Sequence, residues 1–409
     1  MPLRLLRPEG DTVRLFARSG YPSFALTIVL SRVGVFMFTV AGVLLVLERT
    51  HSATLTGVTA AAAVLPGALA GPVLGAWLEA ARKPRRLMIA DQLVSSISLL
   101  LLVALAGHAP DWTLPLTAVV YSITSPFSIG GFYSALAELA GPELMARASA
   151  FDATSLNVGV IVGPALAGAL VGAFGAAVAV GVQAAIKLVV LVLIVVTPVF
   201  GARSGERLPN IRQALADGTR ALARTPVLRA AVLGSGLSSA GWGLMVIGFP
   251  LYAIQILGSR AHDSGYLWAA LGVGSILGTF ALGAKPSLTL SAASYGVLGL
   301  SALLWLPARA LVLGVALVTL SGVIEGPAFS GSIALRQQHA PPGLRAQVST
   351  SAVGVIQIAT STATAVGGAI ADPVILIYMF VGLNLLAGGL ASFSSRSESA
   401  ARASGGEGL

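Results

Sequence analysis

The chain contains no cysteine. Disulfides, thiolate metal sites and cysteine nucleophiles are therefore excluded. Its four histidines, His51, His108, His262 and His339, have no metal-ligand spacing. Charge is scarce too: Asp, Glu, Lys and Arg make up 10% of the residues, against about 25% in a soluble domain. There is no glycine-rich phosphate loop with its lysine, so the chain is not itself an ATP-driven pump. No paired acids suit acid–base chemistry, and no enzyme activity is expected. The longest connection between apolar stretches, residues 198–227, is too short for a folded output domain, which argues against a non-transporting sensor.

Apolar residues are what the chain has in abundance: 56%, with a mean hydropathy of +0.87. A soluble exterior must be wetted, so this much apolar surface needs lipid as its solvent. A helix crosses the hydrocarbon layer with about 20 apolar residues. Twelve stretches qualify: 23–47, 53–78, 87–107, 113–136, 150–171, 174–197, 228–257, 264–283, 287–306, 310–334, 349–371 and 374–393. Strands of alternating polarity are absent, so a β-barrel is not expected. The first stretch is too long for a signal-peptide core and reads as a membrane span.

The net charge of +9 does not point to nucleic acid. The basic residues sit in short gaps between apolar stretches, not on one folded face. Their placement sets orientation instead. With twelve spans, twenty of the 25 Lys and Arg fall on the side that carries both termini. Arg49, Arg260 and Arg309 fall on the other side, and Arg32 and Lys187 lie inside spans. This predicts a multi-pass protein of the cell membrane with both termini cytoplasmic.

The predicted organisation is a cytoplasmic segment (1–22), a six-helix bundle (23–197), a cytoplasmic linker (198–227), a second six-helix bundle (228–393) and a disordered tail (394–409). The linker carries a basic amphipathic helix from Ile211 to Leu222, suited to a membrane surface. The halves resemble each other. At an offset of 200, Ala140, Pro142, Leu144, Ala146, Ser149 and Gly168 match Ala340, Pro342, Leu344, Ala346, Ser349 and Gly368. At an offset of 206, Asp11, Arg14, Ala17 and Arg18 match Asp217, Arg220, Ala223 and Arg224. The expected fold is therefore an all-α membrane protein of twelve transmembrane helices in two pseudo-symmetric six-helix bundles. A parallel repeat of this kind puts the substrate site between its halves, near the midplane.

Three segments carry a family resemblance. The first span reads LSRVGVFMFTVAGVLLVLE. The connection after the second reads GPVLGAWLEAARKPRRLMIAD, with Gly75, Glu79, Arg85 and Arg86 at the positions of a glycine, acid and basic-cluster signature. The fifth reads NVGVIVGPALAGAL, with Gly159, Gly163, Pro164 and Gly168 in a Gly-Pro pattern. Together these resemble the major facilitator superfamily, and within it the bacterial drug, macrolide and siderophore exporters. The chain departs from the signature in having Glu79 for Asp, Arg82 for a second Gly, and Pro84 inside the basic run. The resemblance implies alternating access, export of a small amphipathic molecule, and the proton as coupling ion. It implies a monomer among membrane lipids, with no cofactor. Uptake of a nutrient or metabolite through the same fold is the alternative.

The resemblance also implies that spans 1, 4, 7 and 10 line the central cavity. Arg32 and Glu325 fall on spans 1 and 10, each about nine residues, or roughly 14 Å, from the terminal face. A charge inside the membrane is costly and is a functional candidate by default. Glu325 is read as carrying the coupling proton or contacting a cationic substrate, with Arg32 tuning it. A structural ion pair locking the halves is the alternative. Lys187 is read as structural. Asp91 and Asp152, nearer the surface, are expected to pair with basic loops or cap helices, and Asp91 to help gate the loop after span 2. Tyr121, Ser125, Trp242, Gln255 and Gln357 are candidates for shaping the cavity.

Overall fold

In a computed structural model of the chain, residues 8–81, 83–201, 211–283, 286–341 and 344–405 are described, and every regular element among them is helical. Eleven segments are long and apolar enough to cross a membrane. One of them, Thr113–Phe174, has 62 residues. At 1.5 Å per residue that is about three times the hydrocarbon thickness, so it cannot be one crossing. It breaks at Gly141, whose φ of 58° and ψ of 177° suit only glycine. Pro142 then opens the next helix, where its missing N–H costs nothing. The crossings therefore number twelve.

Span 1 is Tyr21–Thr50. Span 2 joins Ala53–Ala62 to Leu65–Ala80, and span 3 is Pro84–Leu105. Spans 4 and 5 are the parts of Thr113–Phe174 on either side of Gly141. Span 6 is Ala176–Val196, span 7 Pro226–Gln255 and span 8 Ser264–Leu282. Span 9 is Leu288–Trp305, span 10 Leu311–His339, span 11 Arg345–Ile370 and span 12 Pro373–Gly405. Polar caps start several of them. The Ser52 hydroxyl accepts from the Leu55 amide at 3.1 Å, and the Asp372 carboxylate from Val374 and Ile375 at 2.8 and 3.0 Å.

Spans 1 to 6 pack together, with span 1 against spans 5 and 6, and span 3 against span 6. Spans 7 to 12 form the second bundle, with span 7 against spans 11 and 12, and span 8 against span 10. The bundles meet chiefly where span 2 packs on span 11 and span 5 on span 8. With an even number of crossings both termini lie at one face, here the terminal face; the opposite one is the distal face.

Glycines bring backbones together near the distal face. A Cβ on Gly57 would lie 2.8 Å from Gly368 Cα. One on Gly265 would lie 2.5 Å from the Pro164 carbonyl oxygen and 3.0 Å from Gly168 Cα. Thr54 donates across the same seam to the Gly368 carbonyl at 3.3 Å. Val43, Ala60, Ile247 and Leu251 seal it with a buried apolar cluster. The bundle is thus closed at the distal face.

The sequence repeat extends to the surface helices. In Pro8–Phe16, Arg14 pairs with Asp11 at 3.5 Å. In Ile211–Arg224, Arg220 pairs with Asp217 at 3.1 Å. Each helix precedes one bundle, and the matched residues make the same contact. Ala221 and Leu222 of the linker helix pack against Leu228, Val232, Val348 and Ala352. Of the tail expected to be disordered, residues 394–405 run on from span 12 as helix, and residues 406–409 lie outside the described residues. The stretch after Phe393 has no proline, and its first glycine is Gly405 itself, so nothing stops the helix earlier.

Candidate functional site

Glu325 stands at the centre of span 10, fourteen residues from either end, or about 21 Å. It is deeper than expected because the helix runs on to His339. Among the described residues no cation forms an ion pair with it. Its polar neighbour is the indole of Trp242, from the middle of span 7. The Trp242 Nε1 makes no hydrogen bond of normal geometry. Trp242 anchors an aromatic wall, with ring centroids 4.7 Å from Phe380, 6.2 Å from Trp268 and 6.3 Å from Trp305. Trp268 packs against the cores of both bundles. The wall therefore runs from the neighbour of Glu325 to the seam between the halves.

Arg32 is not the partner of Glu325. Its Nη2 meets Asp152 Oδ1 at 2.7 Å, and its Nη1 donates to the Asp152 carbonyl at 2.9 Å. The pair stays inside the first bundle, between spans 1 and 5. Two facts explain the correction. Span 5 begins at Pro142 and not near residue 150, so Asp152 lies about 15 Å into the bundle. Span 1 presses directly on span 5, where a Cβ on Gly159 would lie 2.8 Å from Arg32 Cβ. Tyr133 of span 4 lies beside the pair and is 56% exposed.

Removing one partner leaves the other charge poorly solvated. Asp152→Leu or Arg32→Met alone is expected to cost about 1–3 kcal/mol, discounted because both side chains are partly exposed. The double variant should recover most of that loss. Thermal unfolding in detergent checks it; single variants as stable as the parent chain would rule out a structural pair.

The signature residues after span 2, Gly75, Glu79, Arg85 and Arg86, which with Asp91 form the expected gating loop, separate into different roles. Arg85 Nη2 donates to the Thr197 and Pro198 carbonyls at 3.1 and 2.9 Å. It ties the start of span 3 to the end of span 6, where helix carbonyls lack partners. Arg86 is exposed, and a Cβ on Gly75 would meet nothing within 4 Å. The Glu79 side chain and Arg82 lie outside the described residues.

Asp91 neither pairs with the basic loop nor caps a helix. It is 1% exposed, inside span 3. It accepts from Thr124 at 2.8 Å, Gln92 at 2.9 Å and Ser95 at 3.3 Å, and from Ser128. Four donors replace the water a carboxylate loses on burial. Lys187, 4% exposed, completes this polar core with its Nζ 5.8 Å from the Tyr121 ring centroid. Gln183 donates to the Gly34 carbonyl at 2.7 Å. The sequence does carry a signal for the network: Asp91 and Ser95, and beside them Gln92 and Ser96, each stand one helical turn apart.

The Gly-Pro segment packs in two directions. Gly159 and Gly163 face span 1, where a Cβ on Gly163 would lie 2.8 Å from Phe36 Cβ. Pro164 and Gly168 face Gly265 of span 8, across the seam. Of the other candidates, Tyr121 is buried in the first bundle, Ser125 abuts Gly67 of span 2, Gln357 is half-buried, and Gln255 is exposed at the distal end of span 7.

A sequence model of the Major Facilitator Superfamily matches residues 24–371. An uncharacterised MFS-type transporter of Sinorhizobium fredii, y4rN, is 25% identical over 389 residues, covering 92% of this chain and 94% of the relative. Among solved structures, a bacterial homologue of the human lysosomal transporter Spinster, inward-facing and unoccupied, has a TM-score of 0.67 at 13% identity, over 95% of this chain and 98% of that one. A POT family transporter in complex with 5-aminolevulinic acid has a TM-score of 0.69 at 12% identity, over 91% and 94%. At such identities the likeness to the solved structures is one of fold.

Proposed function

The chain belongs to the major facilitator superfamily, and on that footing we propose that it exports a small amphipathic molecule across the cell membrane in exchange for protons. Its termini face the cytoplasm in this reading, which the distribution of Lys and Arg supports. The observation that carries the proposal is Glu325: a carboxylate at mid-membrane with an aromatic indole beside it and no ion pair among the described residues.

A carboxylate without a counter-ion holds either a proton or a cation, not both at once. With the bundle closed at the distal face, ionised Glu325 takes a cationic group of the substrate from the cytoplasmic side. Trp242 offers its ring face to the same cation. Once the bundle rocks open to the outside, a proton neutralises Glu325 and releases the cargo. Return with the proton bound completes antiport.

Purified protein in proteoliposomes tests this. A panel of organic cations is offered with and without an imposed pH gradient. A transported cation should accumulate against its own gradient only when the pH gradient is present. A cation whose flux ignores that gradient would overturn proton antiport.

A further inference from the structure

We propose that the second bundle holds a binding site for a small inorganic anion of halide size at Arg336, close to the terminal face and apart from Glu325. Arg336 lies three residues before the end of span 10 and is 7% exposed. Its neighbour Leu335 belongs to an apolar cluster with Val227, Ala231 and Ala391. The Arg336 Nη1 is buried and has no hydrogen-bond partner. Among the described residues no carboxylate lies within ion-pair distance of the guanidinium. Arginine keeps its charge in a protein, and an unpaired charge inside a membrane bundle is heavily penalised. The site therefore calls for a counter-charge.

The groups around it are donors. Ser332 lies one turn before Arg336 on the same helix face. Its hydroxyl is 2.6 Å from that of Ser235 in span 7, which is 3.3 Å from the Tyr295 hydroxyl in span 9. Tyr295 is 4% exposed, and both Arg336 and Glu325 are among its charged neighbours. The Ser235 hydroxyl donates to the Ala231 carbonyl at 2.7 Å, which leaves the Ser332 and Tyr295 hydrogens to be directed; one fixed cation and those two hydroxyls favour an anion over a cation. Glu325 does not pair with Arg336: it sits eleven residues along the same helix, a backbone rise of about 16 Å, and among the described residues no ion pair joins the two. Enclosure of the guanidinium favours a small solute over a phosphodiester headgroup.

The test uses the full chain in a neutral, lipid-free detergent, with chloride exchanged for gluconate at constant ionic strength. Chloride should raise the unfolding temperature saturably, by about 2–4 °C. Arg336→Gln should lose that rise, and Tyr295→Phe should need several-fold more chloride for the same effect. If Arg336→Gln does not fold, Tyr295→Phe and Ser332→Ala decide the matter through their chloride midpoints. Equal unfolding temperatures in the two salts would overturn the proposal. So would a chloride effect that persists in Arg336→Gln or stays unchanged in both hydroxyl variants, or stabilisation that appears only when phosphatidylglycerol is added.

Discussion

Glu325→Gln is expected to abolish proton-driven export while leaving the fold as stable as before. The two side chains have nearly the same shape, so Gln fits the space beside the Trp242 indole. No ion pair is broken, because among the described residues none engages Glu325. No orphaned charge is left behind, unlike the outcome at Asp152. What disappears is the charge that holds a cation and the atom that takes the proton. Gradient-driven flux should fall by about 10²-fold or more, equivalent to losing roughly 3 kcal/mol. Cation binding should weaken in parallel, since Gln imitates the protonated state. Flux in proteoliposomes and unfolding temperature are measured on the same preparation. Full transport by Glu325→Gln would remove this residue from the mechanism; lost transport with lost folding would make its role structural.

The number of crossings was legible because length and charge report it independently. Each hydrocarbon crossing needs its run of apolar residues, and each terminal-side loop collects Arg or Lys. Helix ends were less legible. Hydropathy marks where lipid begins, whereas span 10 runs on through Arg336 to His339, and span 5 starts at Pro142. Those few residues decide depth, and depth was what linked Arg32 to Glu325 and hid its real partner, Asp152. Rotation was less legible still. In a lipid-immersed bundle both faces of a helix are apolar, so periodicity says little about which side chain meets which neighbour. Polar residues were the exception: Gln92, Ser95 and Ser96 mark one face because lipid tolerates them poorly. The Trp242 indole beside Glu325 had no such signal, since aromatics serve core, lipid and cavity alike.

Gly265→Leu is expected to hold the bundle open at the distal face. A Cβ there would stand 2.5 Å from the Pro164 carbonyl oxygen and 3.0 Å from Gly168 Cα. Both are backbone atoms and cannot swing aside as a side-chain tip would. The clash falls on span 5 against span 8, so it opposes only the state in which these helices touch at that level. Overpacking of this kind costs about 1–3 kcal/mol, enough to shift a two-state balance by about 10- to 100-fold. The absence of native cysteine makes the measurement direct. Spin labels on Asp111→Cys and Ala310→Cys, two exposed sites on distal loops of opposite bundles, report the separation of the halves. Gly265→Leu should move that distance distribution to longer values. Gly75→Ala, whose new methyl meets nothing within 4 Å, should leave it unchanged. If rocking is a rigid-body motion, labels at the terminal face approach as those at the distal face separate. An unchanged distal distance in folded Gly265→Leu would mean that the glycine crossing is ordinary packing and that closure is governed elsewhere along the seam.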